Sequence, residues 1–459
     1  MLSSITSDDI THPMTAKITS WTRTKGFIEY EISVERKLGS NKKWNVTRRY
    51  SEFRKLGKQL SKFGVQLNFP PKKYFGNTGD IFVTRRKEGL QKFLDLLLVH
   101  PLLYGCADAA SFLGAVSFSP IDIQEWVLLA LRDKPAWRPF KRWTNCGWRS
   151  SKVFYEVEYK NNSYLLNGLR YGPDCCGSID GLNMALNLLR SLQHPYVNET
   201  ITSWADGEGI ISINPIFYPG SLRDHLYKSN CQDDFFSKYS IDKPMRAMSE
   251  LSIRSVCRQV LEALSFFHAL SIPYADIHAG NIVITEVGCE IVGVEQVFAG
   301  QPSLHRSSML NCDFVKSVED MMVFAFGEFL YELVCGVFFF PINSIEQGLS
   351  VVPPIFRPVL QSIFSPEAGR MPDLTTLISN SLFIDVQVAK MNHREVVVPE
   401  RFVNLCQELS QQITSRLNED RVKLKHAAKM EKLHQLATSE SERIRRRKII
   451  LSVSFLFQI

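Results

Sequence analysis

Two groups of residues in this chain have the types and spacing that could do chemistry. The first is basic: Arg48-Arg49-Tyr50-Ser51-Glu52-Phe53, then Pro70-Pro71-Lys72-Lys73, then Arg85-Arg86-Lys87. Cations from three separate segments, with a ring and a Pro-rich turn between them, suit a multiply phosphorylated headgroup. A guanidinium offers a planar fork of donors to phosphate oxygens, lysine acts as a mobile point charge, and proline pre-orders its loop. Taken singly, each basic pair also reads as ordinary solvated surface charge, and Arg48, Lys73, Arg85 and Lys87 read as general electrostatic helpers. The second group is Tyr274-Ala275-Asp276-Ile277-His278-Ala279-Gly280-Asn281. Its Asp and Asn could serve as a base and a metal ligand, or could brace a loop through backbone hydrogen bonds.

Distinct elements must position these groups. Ile28, Tyr30, Ile32 and Val34 alternate with Glu29, Glu31, Ser33 and Glu35, which predicts a strand with one face in a core. Lys43 to Tyr50 continues in the same style after the Gly39-Ser40-Asn41 turn. Leu56, Leu60 and Phe63 then step at helical spacing, and Leu90, Phe93, Leu94, Leu97 and Leu98 form a second helical stripe. A helix from Ile121 to Leu131 and the stretch Lys134-Pro135-Ala136-Trp137-Arg138-Pro139 read as the join to a larger domain. There, Val153 to Tyr159 and Ser163 to Leu169 read as strands around an Asn161-Asn162 turn, and Ile179 to Leu192 and Ile253 to Leu270 as helices.

Composition bounds the class. The chain has 459 residues, 45% hydrophobic and 22% charged, enough for two or three cores of ordinary size. A formal charge of +7 favours an anionic surface without implying bulk nucleic-acid binding. The 10 cysteines include no C-x-x-C and no zinc spacing, so a reduced, cytoplasmic compartment is expected, with no metal and no cofactor. The first residues lack a basic and an apolar signal region, and no apolar run reaches the roughly 18 residues of a membrane span.

The R-R-Y-S-E-F run, the Pro-Pro-Lys turn and the R-K-x-G-L helix start resemble a Phox-homology (PX) domain, here residues 10–118. The resemblance implies a small antiparallel sheet with a helical subdomain that binds phosphoinositides. By the family pattern Arg49 holds the 3-phosphate, Tyr50 packs on the inositol ring, Lys72 reaches the 1-phosphate, and Arg86 grips ring hydroxyls or a further phosphate.

Residues 125–395 resemble the bilobal protein-kinase fold. The likeness rests on Leu192-Gln193-His194-Pro195-Tyr196-Val197, on Gly220-Ser221-Leu222, and on the helix running into Tyr274 to Asn281. It continues in Phe324 to Leu333 with Gly336, and in Met371-Pro372-Asp373-Leu374. It implies Asp276 at the base position and Asn281 at the second metal position, relics rather than a working pair, because the other parts are missing. Asn145-Cys146-Gly147-Trp148-Arg149 replaces the phosphate cradle, and the nearest candidate for the nucleotide lysine, Lys160, sits at a turn. The helix Ile179 to Leu192 holds no glutamate. Ile291-Val292-Gly293-Val294-Glu295 puts Gly293 at the metal-binding aspartate, and Met322 replaces another aspartate.

Residues 396–459 form a basic tail: Leu405, Leu409, Ile413 and Leu417 step by four, Lys423, Lys425, Lys429 and Lys432 follow, and Arg443-Ile444-Arg445-Arg446-Arg447-Lys448 precedes an apolar run from Ile449 to Ile459. That run is too short to span a bilayer; it reads as a weak attachment to an anionic leaflet, as a basic run without function, or as an arbitrary end. The whole chain, an α+β multidomain protein, resembles the PX-domain-containing serine/threonine kinase-like family. The resemblance implies an adaptor peripheral to endosomal or plasma membrane, recruited by phosphatidylinositol 3-phosphate, with a catalytically degenerate kinase domain that binds proteins. Sodium-potassium ATPase and endosomal receptor cargo are the implied partners. Actin belongs to the family's C-terminal segment, from which this tail departs by ending early. The competing expectation is an atypical active serine/threonine kinase using Asp276 as base.

Overall fold

The computed structural model describes residues 9, 11–24, 26–36, 38, 43–62, 79–98, 101–115, 120–144, 146–149, 151–239, 245–337, 344–367, 369–389 and 398–438. Phe63, Pro70, Pro71, Lys72, Lys73 and the basic run Arg443 to Lys448 lie outside the described residues.

The predicted alternation forms β2 (Phe27–Arg36), hydrogen-bonded between β1 (Met14–Thr24) and β3 (Lys43–Arg49) in an antiparallel sheet. Ile28, Tyr30, Ile32 and Val34 all face inward. Helices α1 (Tyr50–Lys62), α2 (Asp80–Leu97), α3 (Pro101–Tyr104) and α4 (Ala107–Leu113) complete this part. Phe53, fully buried, stands edge-on to Tyr30, Phe93 and Phe112 at centroid distances of 6.2, 6.0 and 4.9 Å. The last residue of the R-R-Y-S-E-F run therefore pins the strand-to-helix switch that displays Arg49 and Tyr50.

The join between domains is more structured than its sequence suggested. Helix α5 (Pro120–Arg132) packs Ile123, Trp126, Val127 and Leu131 onto the next sheet, and part of the Pro/Trp-rich stretch forms an edge strand, β4 (Arg138–Trp143). Proline is tolerated there because an edge strand leaves one row of backbone groups unpaired. The sheet runs β4-β5-β6-β8-β7, all antiparallel, with β5 (Lys152–Tyr159), β6 (Asn162–Arg170), β7 (Thr202–Ala205) and β8 (Gly209–Pro215). The β5–β6 turn sits one residue earlier than expected, at Lys160 and Asn161, both at positive φ. Helix α6 (Ile179–Ser191) packs beside β7.

A helical lobe follows: α7 (Leu222–Leu226), α8 (Phe235–Lys238), α9 (Glu250–Ala269), the hairpin β9 (Ile282–Ile284) and β10 (Cys289–Ile291), α10 (Arg306–Met309), α11 (Val318–Cys335), α12 (Ile345–Ser350), α13 (Arg357–Phe364) and α14 (Leu374–Ile378). Every residue of α11 from Met321 to Leu333 is buried, so the span is apolar apart from Glu328 and Glu332, which pair with His305 and Arg223, and the helix forms the axis of the lobe. A Ser317/Asp320 capping box starts it and left-handed Gly336 ends it.

The long tail helix α15 (Glu400–Thr438) packs Phe402, Leu405, Cys406, Leu409 and Leu417 into the same core. One turn of it closes a buried ion cluster. Arg416 pairs with Asp174 at 2.5 Å and with Asp9, while Arg306 bonds Asp420 at 2.6 Å and lies 3.3 Å from Asp9. His12 completes the cluster 3.0 Å from Asp420. Residues from both ends of the chain and both lobes thus share one set of charges. Among the described residues, no helix is long and apolar enough to cross a membrane.

Candidate functional sites: a basic pocket and an interlobe cleft

In the N-terminal domain the chain passes from β3 into α1 at the Arg49–Tyr50 bond. The Arg49 N–H donates to the Glu52 carboxylate at 2.7 Å, which holds the helix start. The Arg49 guanidinium lies 3.5 Å from the Phe27 ring centre, with its Nε 3.2 Å from the Glu29 carboxylate across the sheet. Arg86, on α2 and only 6% exposed, is sandwiched between Tyr50 at 4.1 Å and Phe82, one helical turn earlier, at 4.3 Å. Its Nε has no hydrogen-bond partner among the described residues. Tyr50, expected to pack on a ligand ring, here packs on Arg86 and fixes the direction of its fork.

Arg48 is spent elsewhere. Its Nε and Nη2 donate to the carbonyls of Phe112 and Ser111 at 2.8 and 3.0 Å, capping the C-terminal end of α4 where positive charge is favoured. Lys87 donates to the Thr19 carbonyl at 3.2 Å, and Arg85 is exposed.

In the cleft between the two lobes of the second domain, Asp276 and Asn281 come together, but a third residue joins them. Arg149, from the β4–β5 loop, donates from Nη2 to Asp276 at 2.9 Å and to the Pro302 carbonyl at 2.7 Å. Asp276 also accepts the Leu304 N–H at 2.7 Å, and Asn281 Nδ2 reaches its backbone carbonyl at 2.9 Å and its carboxylate at 3.3 Å. Burial by itself would raise the Asp276 pKa; the Arg149 charge, helped by the Leu304 N–H, reverses this and holds it well below the carboxylate range. A carboxylate so tightly held is a poor proton acceptor. Beside Arg149, Trp148 stacks at 4.1 Å and is buried against Gly105 of the N-terminal domain.

The remaining catalytic parts are replaced in space as in sequence. Strand β6, third in the lobe, presents Asn167 to the cleft; its Nδ2 lies 3.5 Å from Ser212 Oγ, which donates to Glu295 at 2.8 Å. On α6, Asn183 clasps the Ala205 backbone through both amide atoms, at 2.8 and 3.0 Å. Gly293 is left-handed at φ 79°, and a Cβ there would meet the Gln296 amide at 2.5 Å, so the position has no room for an acidic side chain without repacking. Among the described residues, no three acidic, His or Cys side chains are grouped to hold a metal.

Residues 36–115 match the PX domain family. The chain is 29% identical over 423 residues to the PX domain-containing protein kinase-like protein of Mus musculus, covering 90% of this chain and 72% of that one. It is 28% identical over 216 residues to a Dictyostelium discoideum protein named "Probable inactive serine/threonine-protein kinase slob1", covering 42% and 36%. It is also 23% identical over 298 residues to the serine/threonine-protein kinase Sgk3 of Mus musculus, covering 58% and 55%. The chain is a PX plus kinase-like protein.

In this PX plus kinase-like protein the structure gathers Arg49, Tyr50 and Arg86 at one end of the small sheet, and Asp276 and Asn281 at one point of the cleft. Lys72 lies outside the described residues. Lys160, the nearest lysine candidate by sequence, sits in the β5–β6 turn and does not line the cleft. Sequence reasoning gave no role to the cleft cations Arg149, which follows Trp148 in the β4–β5 loop, and Lys152, which opens β5. An available signal was the period of β5, which puts Lys152 and Phe154 on the face opposite core residues Val153 and Tyr155. Burial pushes the Lys152 pKa down, with Glu295 opposing and Arg149 reinforcing.

Proposed function

We propose that this protein is a membrane-recruited adaptor. The PX domain, residues 10–118, binds a phosphoinositide through Arg49, Tyr50, Lys72 and Arg86, with phosphatidylinositol 3-phosphate as the ligand. The kinase-like domain, residues 125–395, binds proteins without transferring phosphate, and residues 396–459 add a basic helical tail. Endosomal trafficking is the setting this arrangement serves, peripheral to endosomal or plasma membrane, with receptor cargo and sodium-potassium ATPase as proposed partners.

The observation that carries the non-catalytic reading is the Arg149–Asp276 pair: the residue in the base position is bonded to a cation from the loop that should cradle phosphate. Relatives named kinase-like and inactive support the same reading. The lipid reading rests on the Tyr50–Arg86–Phe82 stack, a pre-aligned guanidinium of the kind that planar phosphate recognition uses.

Sedimentation with vesicles containing phosphatidylinositol 3-phosphate, against phosphatidylserine alone, tests the address. Selective binding that Arg49→Ala removes is expected; equal binding to both vesicles would refute it. The second reading, an active kinase with Asp276 as base, is favoured by the surviving Asp276–Asn281 contact. It requires Mg²⁺-dependent phosphate transfer that Asp276→Asn abolishes.

A further inference from the structure

The second half of α15 carries apolar residues on two sides. On the inner side Leu417 is buried and Leu424 packs against the same core, while Arg421 donates to the Met309 and Val315 carbonyls, both at 3.0 Å. On the outer side Val422 is 66% exposed, Met430 52% and Leu433 49%. At 3.6 residues per turn Val422, His426, Lys429 and Leu433 run up one face of the helix, with Met430 beside them and Leu417 and Leu424 on the face opposite. Only the inner stripe is covered by the described residues.

Lysines frame the outer stripe. Residues 422–433 hold four lysines against one glutamate. Lys429 stands within the stripe, between Val422 and Leu433; Lys425 and Lys432 lie along one edge and Lys423 along the other. Lys425 pairs with Asp313 at 2.6 Å, and Lys423 lies 3.6 Å from Glu419. Lys429 and Lys432 are exposed and form no ion pair among the described residues. A second copy of the chain fits this face badly, because pairing the helix with itself would put Lys429 in the seam against the cations of its partner. An apolar groove on another protein would bury Lys429 with its neighbours and desolvate an unpaired charge. An anionic lipid leaflet suits both parts of the face. Apolar side chains reach the edge of the acyl region, while lysine stems lie along them and keep their ammonium groups among the headgroups.

We propose that the outer face of α15, from Val422 to Leu433, is a second membrane contact that binds an anionic lipid surface without recognising a particular headgroup. The inference goes beyond the phosphoinositide reading, since this face needs no headgroup pocket. The inner side of the helix ties it to the rest of the chain. Asp420 pairs with Arg306 at 2.6 Å and lies 3.0 Å from His12, two residues before β1 of the PX domain. The PX pocket and the outer face of α15 therefore belong to one connected body, in which two weak contacts with the same leaflet reinforce each other.

The test is sedimentation of the full chain with phosphatidylcholine vesicles, plain or containing phosphatidylserine or phosphatidylinositol 3-phosphate. Phosphatidylserine should raise binding over plain vesicles, and added salt should remove most of that gain. A lysine near an anionic surface contributes roughly fivefold, so the double variant of Lys429→Gln and Lys432→Gln should weaken binding to phosphatidylserine vesicles by about 25-fold. The pair Val422→Ser and Leu433→Ser should weaken it as well, without changing its salt dependence. All four side chains are exposed, so the thermal stability of these variants should match that of the native chain. Arg49→Ala should leave phosphatidylserine binding as it is and remove only the preference for phosphatidylinositol 3-phosphate, whereas the lysine variant should keep that preference. No gain from phosphatidylserine, or an undiminished gain in the lysine variant, would overturn the proposal. Loss of the gain in Arg49→Ala would assign it to the PX pocket and overturn the proposal too. So would a concentration-dependent dimer that Leu433→Ser dissolves, since a second copy would then be the occupant.

Discussion

Replacing Arg149 by methionine removes the cation that Asp276 faces while keeping much of the side chain's volume. Both partners are buried, with 3% and 9% of their side chains exposed. Breaking a buried pair from one side costs about 3–5 kcal/mol, because an uncompensated charge stays behind. Here Asp276 keeps the Leu304 N–H and the Asn281 amide, which places Arg149→Met at the low end, about 3 kcal/mol. Asp276→Asn should cost a similar amount, since it strands the guanidinium with only the Pro302 carbonyl. The double variant strands neither, so the two effects should fall short of additivity by about 2 kcal/mol. Urea unfolding followed by tryptophan fluorescence reports it, with Trp148 stacked on Arg149 as a local probe. The acid limb gives a second readout. A depressed carboxylate pKa stabilises the fold above the unfolded value and that stability is lost as pH falls through the folded value; Arg149→Met removes the depression, so the stability gap between the native chain and the variant should narrow as pH falls below the unfolded carboxylate value. Single variants costing under about 1 kcal/mol, or strictly additive effects, would refute the pairing as the reason Asp276 is held.

Arg86→Lys keeps the charge but not the flat cation between Tyr50 and Phe82, and should weaken binding to phosphoinositide vesicles by about tenfold, with Arg86→Ala weakening it further. Arg416→Ala should destabilise by about 3–5 kcal/mol, because Asp9 and Asp174 lose their main cation together; a near-neutral result in urea unfolding would show that the cluster does not hold the tail. Thermal stability should peak near neutral pH. Burial lowers the His194 pKa to about 4 from 6.5, so the unfolded chain gains a proton first and stability falls as pH drops through that window, by up to about 3 kcal/mol. His278 acts in the same direction. For His305, burial is outweighed by Glu328 and the pKa is raised, so its stabilisation is present below the unfolded value and is lost as pH rises. A flat pH profile between 4 and 6.5, or one that His194→Gln leaves unaltered, would count against this.

Much of this was legible in the chain because it depended on residue types at fixed spacing. The alternation of β2, the R-R-Y-S-E-F run and the four-residue steps of α15 are local patterns, and local geometry converts them into faces. Missing catalytic parts were legible in the same way: no glycine cradle before β5, no glutamate in α6 and Gly293 for an aspartate can be read position by position. The edge strand β4 was hidden because proline and tryptophan read as a connector, and only the neighbouring β5 supplies the pairing that makes Arg138 to Trp143 a strand.

The sequence by itself determined which motifs the chain carries: the basic PX motifs are present and the kinase motifs are altered. Tertiary structure alone decided how the surviving polar residues are used. Arg149 and Asp276 are 127 positions apart, and Arg416 and Asp9 are 407 apart. No local period encodes such contacts; they exist because packing the lobes and the tail into one core excludes water there and leaves each buried charge only the partners the fold brings within reach.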